Sequence, residues 1–289
     1  MIDLLLSIAS STIILTLFKA FGKFKVNTFQ AIVVNYIVAA SCGYVAYGAT
    51  IWTDLPWFKS WFIPAALLGV LFIAIFNLMA LTAQRAGLSV ASVATKMSVA
   101  LPILFGFLYY KEEVSLPKVV GILLALIALY LSSQKNEGSR KLQLKVLVLP
   151  LLVFLGSGVI DTSIKFLEEQ YVGQKDVSQF SATIFAFAAL SGILLIIIKA
   201  FQSKVKIQGK NLVAGIALGI PNYFSIYFLV QALRIPYLDS ATVFTLNNIA
   251  IVVAATLIGI LLFKERLSKS NWLGIVLALI SIAVIAFNT

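Results

Sequence analysis

The sequence predicts an all-α integral membrane protein whose ten transmembrane helices form two inverted five-helix repeats. Three observations carry that prediction. Of the 289 residues, 61% are hydrophobic and only 11% are charged, against about 25% charged in a soluble domain. The apolar residues come in runs of about twenty, the length a helix needs to cross the hydrocarbon of a bilayer. Finally, a segment of the first half recurs in the second at a constant offset.

The crossing segments fall at about 3–20, 28–48, 62–83, 90–110, 116–133, 143–167, 178–200, 211–233, 239–263 and 270–287. Each must be helical, because in lipid only a helix satisfies its backbone groups within one crossing. A β-barrel would show short segments of alternating polarity, and these runs do not alternate. The first run lacks a basic leader and a small-residue cleavage site, so it reads as a span and not as a signal peptide. Local breakers mark the connections: Gly22, Asp54-Leu55-Pro56, Gly87, Pro117, Gly173, Gly209 and Pro236. Trp52, Trp57 and Trp61 flank the second loop as interfacial aromatics do. The most polar stretch, around residues 132–141, reads as a flexible linker. The domain plan is therefore 1–134 for the first repeat, 135–142 for the linker and 143–289 for the second repeat.

Lys111-Glu112-Glu113-Val114-Ser115 is echoed by Lys264-Glu265-Arg266-Leu267-Ser268, and Gly121–Ile127 by Gly274–Ile280. At this offset 9 of the 17 positions from Lys111 to Ile127 are identical. Upstream, Arg85 and Arg234 close corresponding spans, with a four-residue shift between the two alignments. Five spans per half is an odd number, so the halves must be inverted in the membrane, an architecture many secondary transporters use.

Net charge is +11, from 22 Lys and Arg. These lie in short loops, where they act as topology signals and contacts for anionic membrane lipids; no basic surface remains for a nucleic-acid partner. Odd-numbered loops carry 15 of them, even-numbered loops 6, and Lys96 lies inside a span. The odd loops are therefore predicted cytoplasmic, with both termini outside a multi-pass cell membrane protein. The chain is expected as a monomer or homodimer.

One cysteine, Cys42, rules out an intrachain disulfide, and the absence of histidine removes the commonest metal ligand and proton shuttle. There is no nucleophile–base pair, phosphate loop or metal cluster, so no enzyme activity, cofactor or metal is expected.

Charges inside spans are costly and face protein or a water-filled cavity. Lys96, in Ala94-Thr95-Lys96-Met97-Ser98, is read as a cationic contact for a carboxylate or phosphate, as a snorkelling side chain, or as half of a structural ion pair. Asp161 is the one acid well inside a span. It either pairs with Lys165 at i,i+4 or serves as a proton-coupling carboxylate. Uncharged polar groups inside spans include Asn35, Tyr36, Asn77, Asn222, Tyr223, Asn247 and Asn248. Of these Tyr36, Asn77, Tyr223, Asn247 and Asn248 join Lys96 as candidates for substrate contact, with interhelical hydrogen bonding as the alternative role. Asn247 and Asn248 diverge by about 100° on a helix, so no more than one of the pair can face a cavity. Pro102 and Pro221 are placed to kink spans. Gly215 and Gly219 have GxxxG spacing, which points to close helix packing, and Ser7, Ser10, Ser11 and Thr12 form a small-residue packing stretch.

The repeated Lys-Glu turn followed by a Gly-containing last span, Lys111-Glu112 with Gly121 and Lys264-Glu265 with Gly274, resembles the EamA branch of the drug/metabolite transporter superfamily. Together with length and span pattern, the resemblance covers essentially the whole chain. It implies a secondary transporter, an exporter or exchanger, moving small polar or amphipathic metabolites such as amino acids. It further implies alternating access around a central cavity to which the fourth span contributes wall. Many members of that family keep both termini in the cytoplasm, the opposite of the charge count here. The other readings are an intramembrane enzyme on lipid-linked substrates, which would need clustered catalytic groups, and a channel-like scaffold.

Overall fold

The computed structural model describes residues 1–47, 56–111, 115–134, 144–173, 176–202, 207–232 and 240–286, and within them the chain is all-helical with no strand. The 135–142 linker, Trp52, Asp54, Leu55, Glu112, Glu113, Val114, Arg234 and Pro236 lie outside the described residues.

The first half runs α1 (Ile2–Lys23), α2 (Thr28–Tyr47), α3 (Phe62–Arg85), α4 (Leu88–Met97), α5 (Ala100–Phe105) and α6 (Leu116–Ser132). The second half runs α7 (Leu144–Gln170), α8 (Val177–Gln202), α9 (Gly209–Ala232), α10 (Ser240–Phe263) and α11 (Lys269–Ala286). Among the described residues nine helical stretches are long and apolar enough to cross a bilayer, Leu88–Tyr110 counting as one. Leu116–Ser132 is apolar but only 17 residues long, the short end of crossing lengths.

Span four is not the single continuous helix its length implies. Pro102 has no N–H to give the Ser98 carbonyl one turn earlier. That carbonyl accepts from Leu101 N instead, at 2.9 Å, and the α-helix is interrupted between Met97 and Ala100. After α5 the chain makes a π turn over Gly106–Tyr110, and Lys111 then leaves it with φ 52°. Lys264, at the corresponding repeat position, has φ 53°. Left-handed backbone disfavours an L-residue by about 1 kcal/mol, and the two repeat turns share that departure.

The chain divides into two compact units that do not coincide with the sequence halves. One comprises residues 1–20, 78–161 and 224–289; the other comprises 21–77 and 162–223. Each therefore draws on both halves.

In the second unit α2 packs against α8. A Cβ on Gly43 would lie 3.1 Å from Ala182 Cβ, and one on Gly192 would collide with Val33. The pairing is antiparallel, since Gly43 precedes Ala182 as Val33 precedes Gly192 in crossed order. Tyr36, Phe72, Phe76 and Phe185 form an aromatic cluster in this unit, and Trp61 sits edge-on to Phe180 at 5.6 Å. The GxxxG pair lets α9 approach α2: Cβ atoms at Gly215 and Gly219 would come within 2.7 Å of Ala31 O and 2.8 Å of Asn35 O.

Asn35 is fully buried, and neither amide atom has a hydrogen-bond partner. An orphaned buried amide costs about 1–3 kcal/mol, so Asn35→Leu should stabilise the detergent-solubilised protein by about 1 kcal/mol. A thermal unfolding midpoint at or below wild type would show that the amide is satisfied.

In the first unit α6 packs against α11, and α4 against α10. A Cβ on Gly121 would meet Ile285 Cγ1 at 2.5 Å, while one on Gly274 would run into the backbone of Ser132 and lie 2.9 Å from Ala128 O. Ser281 Oγ donates to Gly121 O at 2.8 Å. These contacts make α6 and α11 antiparallel. Asn271 ties their ends: its Nδ2 donates to Ser132 O at 2.7 Å and Gln134 O at 2.8 Å, closing α6. Its Oδ1 accepts from Ser268 N, and its own N–H donates to Ser268 Oγ, which caps α11.

Candidate functional site

The interruption of span four places charge inside a crossing segment. Lys96 stands in the last turn of α4 and is half-buried. Ser98 follows in the break, fully buried. Its hydroxyl lies 2.6 Å from Thr95 O and 3.2 Å from Asp161 Oδ2, so one hydrogen serves two acceptors. Lys96 thus stands two residues before the hydroxyl that reaches Asp161.

Lys165 lies 3.9 Å from Glu169 Oε1, at i,i+4 along α7. Asp161 closes one segment of the first unit, and Thr162 begins a segment of the second. Asp161 stands exposed on α7, inside the crossing stretch Leu147–Leu167. An ionised carboxylate there is incompatible with hydrocarbon, so its surroundings must be protein and water.

The first unit holds a second polar node. Asn247 of α10 is buried, and its Oδ1 lies 3.2 Å from Ser7 Oγ of α1, which also lies 3.0 Å from Ser225 O of α9. Asn248, one position on, is half-buried.

The remaining candidates belong to the second unit. Tyr36 is completely buried, and its hydroxyl donates to Phe72 O at 3.1 Å. Its ring packs between Phe76 at 5.3 Å and Phe185 at 6.0 Å. It is a packing residue in this structure, with its only hydrogen already donated. Asn77 is half-buried and donates Nδ2 to Ile73 O at 2.7 Å, one turn back in its own helix. Tyr223 is half-buried. Asp161 is thus tied to the break in span four through Ser98, two residues after Lys96.

Residue Glu265 was visible in the repeat without a role. Its Oε1 accepts from Leu88 N at 2.8 Å and pairs with Lys19 Nζ at 3.0 Å. The carboxylate so caps the start of α4, where the helix dipole favours negative charge. Gly87, with φ 120°, has backbone only glycine adopts readily, and a Cβ there would come within 3.0 Å of Glu265 Oε2. A Cβ on Gly259 would come within 2.6 Å of the same oxygen. Two glycines therefore open the slot in which the carboxylate sits. The sequence signal was the Lys-Glu frame recurring after spans four and nine; its partners were too far along the chain to be read.

The sequence signature of the EamA-like transporter family matches residues 145–287. An uncharacterized protein of Haemophilus influenzae is 31% identical over 286 residues, covering 97% of this chain and 96% of its own. A protein of known crystal structure superposes with a TM-score of 0.58 at 18% identity, covering 99% of this chain and 98% of its own. That likeness speaks to the fold alone. The chain is a multi-pass helical membrane protein, and it belongs to the EamA-like transporter family, a branch of the drug/metabolite transporter superfamily.

Proposed function

We propose that the protein is a secondary transporter of small polar or zwitterionic metabolites, amino acids among them, working by alternating access. The observation that carries this reading is the contact of Ser98 with Asp161, two residues after Lys96, at the interruption of span four. Interrupted helices with charged groups beside the break are where transporters hold solutes at membrane depth. Lys96 offers a cation to a carboxylate, and Asp161 offers an anion to an ammonium group or a proton. Ser7 and Asn247 supply neutral hydrogen-bonding groups in the same unit.

An inverted repeat is part of the proposal. Gly274 follows Gly121 by 153 residues, the offset of the sequence repeat, and Ile285 follows Ser132 by the same number. The contact of Gly121 with Ile285 is thus the counterpart of Gly274 with Ser132. In the second unit Gly192 follows Gly43, and Ala182 follows Val33, by 149 residues, the offset that relates Arg85 to Arg234. Reciprocal contacts between antiparallel helices at both offsets are what two inverted halves related by a pseudo-two-fold axis would make. The orientation follows the charge count, with odd loops cytoplasmic.

The test is flux into proteoliposomes, using pooled amino acids, organic acids and nucleotide sugars, with and without a pH gradient. Saturable, protein-dependent uptake of one class is expected. Lys96→Ala should reduce it about tenfold, the loss of about one charge-assisted contact, and Asp161→Asn should abolish acceleration by the gradient. Flux equal to that of empty liposomes for every class would overturn the transporter reading.

A further inference from the structure

The second unit contains a cavity that the proposed transport chemistry does not use. It opens to about 680 Å³ where α2 begins, α8 ends and α9 begins. Three lysines from three chain segments line it: Lys25 ahead of α2, Lys199 near the end of α8 and Lys210 at the start of α9. Among the described lining residues none is acidic.

The lysines stand around a polar floor that is already ordered. Buried Asn211 donates Nδ2 to Gln30 Oε1 at 2.6 Å, and its Oδ1 accepts from Asn27 N at 3.0 Å. Asn27 Oδ1 in turn accepts from Gln30 N at 3.2 Å. Lys199 Nζ is held 5.2 Å from the centre of the Phe29 ring, which positions the ammonium at the cavity by a cation–π contact. Val26 and Ile196 add apolar wall beside it.

We propose that this cavity binds a phosphate-bearing anion. Three lysines line one cavity and none of its described lining residues is acidic, so its field favours an anion. A phosphate supplies several acceptor oxygens to several cations at once, and lysine serves it as a point charge. All the lining groups sit within a few residues of helix ends, the depth at which a crossing helix meets phospholipid headgroups. The same chemistry is met by the headgroup of an anionic phospholipid or by a free phosphate in solution, and the site belongs to the second unit, whereas Lys96 and Asp161 belong to the first.

Native mass spectrometry on the delipidated full-length protein tests the assignment, with phosphatidylglycerol and inorganic phosphate as separate probes. The variant K25Q/K199Q/K210Q should weaken binding of the responding probe at least tenfold. The control K118Q/K264Q/K269Q, which removes equal charge elsewhere, should bind as wild type. Binding of phosphatidylglycerol that millimolar phosphate does not displace identifies the lipid headgroup. Binding of phosphate itself, lost in the cavity variant, identifies the free anion. Equal binding by wild type and both variants, or equal loss in both variants, overturns the site. A monodisperse elution profile for each variant separates lost binding from lost folding.

Discussion

Replacing Gly274 with alanine should destabilise the protein by about 3 kcal/mol, whereas Gly121→Ala should cost about 1 kcal/mol. Both glycines lie where α6 and α11 touch, and both would be overpacked by one methyl group. What each methyl group meets decides the size of the loss. At Gly121 it meets Ile285 Cγ1 and Cδ1, one arm of a single side chain, so Ile285 alone must shift and no backbone has to. At Gly274 it meets Ser132 N, Ala128 O and Leu131 C, all backbone atoms of α6. Those atoms cannot move without shifting the helix and pulling the Ser132 and Gln134 carbonyls off Asn271. The measurement is the thermal unfolding midpoint in detergent for each variant, together with Ile285→Ala in both backgrounds. Truncating Ile285 should recover much of the Gly121→Ala loss and none of the Gly274→Ala loss. Equal losses for the two glycines would show that the interface relaxes as easily on its backbone side.

Much of this fold was legible in the sequence because lipid allows so few solutions. Apolar runs between breakers located the helices, and Pro102 falls in the span that is interrupted, whereas α9 runs from Gly209 to Ala232 as one helix across Pro221. Gly121 and Gly274 were found through the repeat before their contact was known. Side-chain partnership was harder to read. Helical spacing allows Lys165 to reach Glu169 as well as Asp161, and it lies 3.9 Å from Glu169. Ser98 reaches Asp161 from the break after α4, a contact between distant segments that no local spacing announces. Tyr36 shows the complementary limit. A hydroxyl inside a span suggests a cavity wall, yet a carbonyl one helix away, Phe72 O, takes its hydrogen. The anion cavity was the least visible feature. Lys25, Lys199 and Lys210 count as ordinary loop charges until α2, α8 and α9 bring them together.

Glu265→Ala should lower stability by about 3 kcal/mol, while Glu265→Gln should lower it by about 1 kcal/mol. Alanine leaves Leu88 N without its acceptor at the start of α4, within a slot that is mostly closed to solvent. It also strands Lys19. A lost charged hydrogen bond costs about 1.5–3 kcal/mol, and the unpaired ammonium adds to it. Glutamine keeps an oxygen for Leu88 N and loses only the charge. Since the Lys19 and Glu265 side chains are 19% and 10% exposed, water and salt screen their attraction in part. The double-mutant cycle of Lys19→Ala with Glu265→Ala should therefore show coupling of about 1 kcal/mol at low ionic strength, shrinking as salt is added. If alanine and glutamine cost the same, the cap on α4 contributes nothing and the ion pair alone holds Glu265. If the coupling is zero, the cap alone does. The Gly87 and Gly259 contacts favour the cap as the larger share, because a slot lined by two glycines fits a carboxylate against backbone and is not required for a pairing with a lysine.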